Sequence, residues 1–168
     1  MKNITKNGLP YKRKRQGRTD YRKRLSLLKA GRPRLVIRRS LKNIVIQLVQ
    51  FTPDGDKVLS STSSQTLPKS HGLKGSLKNI PTAYITGLLA GNKIKELKIT
   101  EVVPDLGSRK PHTTGAIFAA LKGITDAGVS ISHGKELEAS VFPVEERLKG
   151  EHVTKKQNYE EIINKLKK

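Results

Sequence analysis

Residues 34–61 read RLVIRRSLKNIVIQLVQFTPDGDKVLSS, and this stretch decides the fold. Leu35-Val36-Ile37 stands as a short strand within Arg34 to Arg39. Residues 43–51 are β-branched or apolar at both alternating sets of positions, which predicts an interior strand covered on both faces. Thr52-Pro53-Asp54-Gly55-Asp56 carries the residues of a tight turn, and 57–61 returns as an edge strand. Three strands joined this closely form an antiparallel meander.

Outward from the meander the pattern changes. Residues 60–75 are rich in Ser, Gly and Lys and read as a loop. Asn79 caps a helix with Pro81 in its first turn, where no N–H is needed, and Ile80, Tyr84, Leu88 and Leu89 form its apolar side. A strand follows over 97–103, ended by Pro104-Asp105-Leu106-Gly107. Thr113 or Thr114 caps the next helix, with Ile117, Leu121 and Ile124 aligned and Ala120 widening the stripe. Gly128 closes that helix, and 129–131 is a last short strand.

On the N-terminal side, a helix over 20–30 is capped by Thr19 or Asp20 and has Leu25, Leu27 and Leu28 on one side. Gly31 and then Arg32-Pro33 stop it. At the other end, 154–168 makes a helix with Tyr159, Ile162, Ile163 and Leu166 on one side, free to pack on its own domain or on a partner. The order β-β-β-α-β-α-β predicts an α/β three-layer domain with a mixed five-stranded sheet, its last two strands placed beside the first by right-handed crossovers. The core spans 34–132. A basic arm and linking helix (1–33) precede it, and an extension with a terminal helix (133–168) follows.

Charge is concentrated rather than spread. The 168 residues carry 34 Lys+Arg against 14 Asp+Glu, a net +20. Residues 1–42 hold 16 of those bases, nine of the eleven arginines, and a single acid, Asp20. The densest run is Tyr11-Lys12-Arg13-Lys14-Arg15-Gln16-Gly17-Arg18, followed by Tyr21-Arg22-Lys23-Arg24. Self-repulsion predicts that residues 1–18 stay extended until a polyanion neutralises them and releases its counterions. Arginine grips phosphate through two parallel N–H bonds and stacks on bases, and tyrosine stacks on unpaired bases, which favours RNA over duplex DNA. A solvated tail would mix both signs of charge, and a membrane-binding arm would need an apolar face.

Several other classes are excluded. There is no cysteine, so thiol nucleophiles, disulfide frameworks and Cys-ligated metals are out. No stretch approaches the ~20 apolar residues of a membrane span. The start, Met1-Lys2-Asn3-Ile4, lacks the apolar core of a secretory signal. His71, His112, His133 and His152 stand apart, without metal-ligand spacing. Gly107-Ser108-Arg109-Lys110 lacks the spacing of a phosphate-binding loop. A meander followed by alternating helices and strands resembles the ribonuclease-H-like fold, whose nucleases hold metals with carboxylates on the first and fourth strands. Here the first strand carries arginines and no acid, Asp54 and Asp56 belong to a turn, and Glu101 and Asp105 lack a carboxylate partner. Asp126 reads as a local hydrogen-bonding residue. No cofactor, metal or small-molecule substrate is implied.

A set of segments carries a more specific likeness: Thr19-Asp20-Tyr21-Arg22-Lys23-Arg24-Leu25, Pro33-Arg34-Leu35-Val36-Ile37-Arg38, Ala83-Tyr84 with Gly87-Leu88-Leu89-Ala90, Phe118-Ala119-Ala120-Leu121-Lys122-Gly123 with Asp126-Ala127-Gly128, and Gly150-Glu151-His152-Val153. In this order and spacing they resemble the 5S-rRNA-binding family of large-subunit ribosomal protein eighteen in its archaeal form, relatives of eukaryotic large-subunit ribosomal protein five. The resemblance covers about 11–153. It implies a ribonuclease-H-like domain without catalytic residues and a cytoplasmic, ribosomal location. It also implies a place in the central protuberance, binding 5S rRNA and large-subunit rRNA beside neighbouring ribosomal proteins. By position it assigns RNA binding to Tyr11, Lys12, Arg13, Lys14, Arg15, Arg18, Tyr21, Arg22, Lys23 and Arg24 in the arm, and to Arg34, Arg38 and Arg39 on the first strand. A packaging protein without RNA preference and a hydrolase are the competing functions.

Overall fold

Alternation of buried and half-buried residues along 34–63 produces the predicted meander. In the computed structural model, which describes residues 8–107, 112, 114–131 and 159–167, β1 is Arg34–Arg39, β2 Ile44–Thr52 and β3 Gly55–Ser63. Leu35 and Ile37 of β1 and Ile44, Ile46 and Leu48 of β2 are all buried on one sheet face. Val36, Val45 and Gln47 lie on the other and are only half-buried. The sheet order is β3-β2-β1-β4-β5, with β4 (Glu101–Asp105) and β5 (Ser130–Ile131) added parallel beside β1. The mixed five-stranded sheet and the edge position of β3 are as predicted.

The chain divides into two compact units, Met1–Gly31 and Arg32–Lys168. In the first, α1 (Lys12–Arg15) is a single turn and α2 (Tyr21–Leu28) is capped by Asp20, whose carboxylate accepts from the N–H groups of Arg22 and Lys23 at 3.0 and 3.2 Å. Residues 12–15 are therefore not extended, contrary to the expectation from self-repulsion. The carbonyl of Tyr11 accepts from the N–H groups of both Lys14 and Arg15, which closes the turn locally. Gly31, at φ +64°, follows the helix as predicted, whereas Leu25 stands 58 % exposed and not on a buried side.

In the second unit, a 3-10 turn (Ser64–Thr66) and α3 (Leu67–His71) precede the long α4 (Ile80–Glu96), and α5 is Ala116–Asp126. Asn79 caps α4 by accepting from Thr82 N–H at 3.0 Å, with Pro81 in the first turn. Four expectations are corrected here. Residues 60–71 are the end of β3, the 3-10 turn and α3, and only 72–75 remain irregular. The fourth strand starts at Glu101, because α4 runs to Glu96 and closes through Lys98 at φ +57°. Pro104 lies inside that strand: Val103 N–H donates to Pro33 O, so the nitrogen of Pro104 faces away from β1, where no donor is required. Gly115 caps α5 without a side-chain bond; Thr114 is not the cap, and Thr113 lies outside the described residues.

α4 and α5 pack against each other and on the same sheet face, joining Ile85, Leu88, Leu121 and Ile124 to Leu35, Ile37 and Ile46 in one core. On the other face β2 is covered in part: Val49 is buried opposite the buried Arg34, while Val45 and Gln47 are half-buried. The terminal helix α6 (Tyr159–Lys167) packs on α4, which settles where its apolar side goes. Asn79 Nδ2 donates to the Tyr159 hydroxyl at 2.7 Å, and Asn92 Nδ2 donates to Leu166 O at 2.9 Å. Residues 154–158 lie outside the described residues.

Candidate nucleic-acid interface

Two groups of basic residues emerge, one in each unit. In the first, α1 presents Lys12, Arg13 and Arg15 to solvent, with Arg18 exposed just beyond. Arg13 Nε donates to Thr19 Oγ1 at 2.9 Å, which folds the chain back toward the start of α2. The rings of Tyr11 and Tyr21 meet at 5.5 Å between centroids, tilted by 49°. Two tyrosines forecast separately as stacking residues thus form one aromatic pair amid the cations. Arg22 and Lys23 are exposed, whereas Lys14 and Arg24 are half-buried. Asp20 is the sole acid among residues 1–33, and its carboxylate is engaged with backbone N–H groups.

The second group lies on the sheet face opposite Leu35 and Ile37. Arg34, Arg38 and Asp105 share that face, since Arg34 pairs with Val103 and Val36 with Asp105 across the β1–β4 ladder. Arg34 is 4 % exposed, and its guanidinium donates from Nη2 to Asp56 at 2.7 Å and from Nη1 to Asp105 at 3.1 Å. Its expected role as an RNA contact is corrected on that ground: both terminal nitrogens bind carboxylates, and the side chain does not reach solvent. Arg38 is different. Its side chain is 48 % exposed, Nη2 donates to Asp105 Oδ1 at 3.0 Å, and Nη1 donates to the carbonyls of Ile37 and Asp105 at 2.9 and 2.6 Å. Arg39 is exposed at the end of β1.

Asp56 and Asp105 are the residues the sequence did not single out for this site. Asp56 looked like a turn residue and Asp105 like a strand terminator, and their arginine partner lies 22 and 71 positions away, respectively. Glu101, which was expected only to lack a second carboxylate, pairs with Arg32 at 2.9 Å. Asp126 accepts from the Tyr84 hydroxyl at 2.7 Å and pairs with Lys122 at 2.8 Å, the local role expected of it.

Burial works to raise the Asp105 carboxyl pKa, but the hydrogen bond and charge of Arg38, the Gly107 N–H and the charge of Arg34 together hold it below its ordinary value. A carboxylate with a lowered folded-state pKa stabilises the fold fully above the ordinary carboxylate pKa of about 4. That contribution disappears as pH falls through the lowered value. Denaturant midpoints between neutral pH and about pH 2 should therefore show the wild type keeping its advantage over Asp105→Asn above about pH 4 and losing it progressively below. A gap that stays constant to the acid end would refute the pairing.

Chemically, exposed guanidiniums beside an aromatic pair are suited to phosphate and unpaired bases. Among the described residues no group of three or more His, Asp or Glu side chains converges as metal ligands, and no helix is long and apolar enough to cross a membrane. His133 and His152 lie outside the described residues. In a comparison with known families, the model for ribosomal large subunit proteins 60S L5 and 50S L18 matches residues 6–105.

Proposed function

From the premise that the chain belongs to the family of ribosomal large subunit proteins 60S L5 and 50S L18, we propose that the RNA it binds is 5S rRNA, which it helps to attach to the large-subunit rRNA in the central protuberance. Membership makes the chain a structural, RNA-binding constituent of the large subunit of the cytoplasmic ribosome, with rRNA and ribosomal proteins as partners, and not a member of an enzyme class. Within the match lie three of the segments that resemble the 5S-binding family, at 19–25, 33–38 and 83–90. The segments at 118–128 and 150–153 lie beyond it, and the latter is also outside the described residues.

The observation that carries the reading is the arm's arrangement: exposed bases on α1 and its flanks, an aromatic pair, and one acid already used as a helix cap. Tyr11, Lys12, Arg13, Lys14, Arg15, Arg18, Tyr21, Arg22, Lys23 and Arg24 supply phosphate and stacking contacts from the arm, and Arg38 and Arg39 supply phosphate contacts from the folded body. The strand order and directions support a ribonuclease-H-like domain. Where nucleases of that type keep metal-binding carboxylates, this chain has Arg34 and Arg38 clasping Asp105, so the geometry serves recognition and not hydrolysis.

Binding of the full chain to 5S rRNA across a salt series, against an unrelated RNA of equal length, tests the proposal. A preference of about tenfold or more at ~0.15 M salt is expected. Equal affinities that collapse together as salt rises would leave a basic packaging arm instead.

A further inference from the structure

Arg38 has two edges, and only one is used. Its Nη1 and Nη2 form the edge that faces Asp105, with Nη1 on the backbone carbonyl and Nη2 on Oδ1. The second Nη1 hydrogen goes to Ile37 O. Of the five donors of a guanidinium, the Nε–H and the remaining Nη2–H have no partner among the described residues, and these two project along the other edge in parallel. Two parallel N–H groups on one guanidinium edge match the spacing of two phosphate oxygens. The side chain as a whole is 48 % exposed.

The clasp that aims it is itself braced. Asp105 Oδ1 accepts from Arg38 and from Gly107 N–H at 3.0 Å, while Oδ2 accepts from the buried Arg34, which is held in turn by Asp56. Gly107, at φ +81°, runs alongside the guanidinium, and a Cβ there would stand 3.5 Å from Arg38 Cζ. An arginine on an open sheet face ordinarily samples many rotamers, and ordering it on binding opposes association. Here that ordering is done beforehand.

We infer that Asp105 is a positioning residue for RNA binding: it fixes Arg38 so that its Nε/Nη2 edge takes one backbone phosphate. The inference rests on the RNA-binding reading above. It predicts a sign that charge alone would reverse. Removing an acid from a protein of net +20 raises its general attraction for a polyanion, whereas removing the positioning carboxylate should weaken binding.

The experiment measures affinity of the full-length chain for a 5S rRNA transcript and for an unrelated RNA of equal length. The wild type, Arg38→Ala, Asp105→Asn and the double variant are compared over a salt series, with folding checked by circular dichroism. Arg38→Ala should lose about tenfold for 5S rRNA. Asp105→Asn should lose about fivefold, and nothing further in the Arg38→Ala background, because its effect passes through Arg38. Asp105→Asn binding as tightly as wild type or tighter, or losses that add, would overturn the inference. If Asp105→Asn does not fold, Arg38→Lys carries the test, since it keeps the charge but has no second edge. It should weaken 5S binding about fivefold with the fold intact, and wild-type affinity would be the contrary result. The 5S preference of the wild type reports separately on the underlying function.

Discussion

Replacing Arg13, Arg15 and Arg18 together with alanine is expected to lower RNA affinity about a hundredfold near 0.15 M salt and to flatten the salt dependence by about two to three units of slope. All three side chains are exposed, and the sole acid of residues 1–33 is already bound to the start of α2. Each phosphate they neutralise releases a condensed counterion, which is what gives the binding its salt dependence. Arg13 contributes a second effect, since its Nε bond to Thr19 sets the approach of α1 to α2. The thermal transition of the folded body should stay in place, because residues 1–31 form a compact unit of their own. Isothermal or filter-binding measurements at several salt concentrations decide it. An unchanged slope would mean that these guanidiniums do not touch phosphate.

How far such a site is legible in the sequence depends on what kind of information each part uses. The arm is written in composition, and its exposed bases needed no tertiary partner to be recognised. The meander is written in alternation, from Leu35 and Ile37 to Ile44, Ile46 and Leu48. Ser60 to Ser63 carry no such alternation, yet they pair with 45–48 through the backbone. Ser64 then turns its hydroxyl inward to accept the N–H of Ile44 at 3.0 Å. Polar residues whose backbone completes a sheet read as a loop, which is why the Ser-rich composition of 60–75 hides the end of β3. The second set of positions on β2 is covered only in part: Val49 is buried, Val45 and Gln47 are half-buried and Phe51 is exposed. Arg34 is the hardest case. In sequence it is one more arginine of a basic strand, and only the β1–β4 register, which brings Asp105 alongside, turns it inward.

Gly87→Leu is expected to remove most of the stability of the folded body, about 5 kcal/mol, a loss comparable with the total for a domain of this size. α4 and α5 cross at backbone contact. A Cβ at Gly87 would run into the carbonyl of Ala120, and one at Gly123 into the carbonyl of Tyr84 and, at 2.9 Å, the Leu88 nitrogen. Gly91 continues the row against Ala127. Both obstacles at Gly87 and Gly123 are main-chain atoms of regular helices, which cannot swing aside as a side-chain end would. Separating the helices would also strip contacts from Ile85, Leu88, Leu121 and Ile124, which share one core with β1 and β2. Gly87→Ala sharpens the expectation, because two effects oppose each other there. Alanine favours a helix over glycine by about 1 kcal/mol, so propensity alone predicts a more stable protein. Overpacking at a main-chain contact costs about 1–3 kcal/mol or more, so the close crossing predicts a less stable one. Denaturant unfolding of both variants against wild type measures the balance: an alanine variant more stable than wild type would show that the helices can part at little cost, and a leucine variant that unfolds like wild type would place Gly87 away from the crossing altogether.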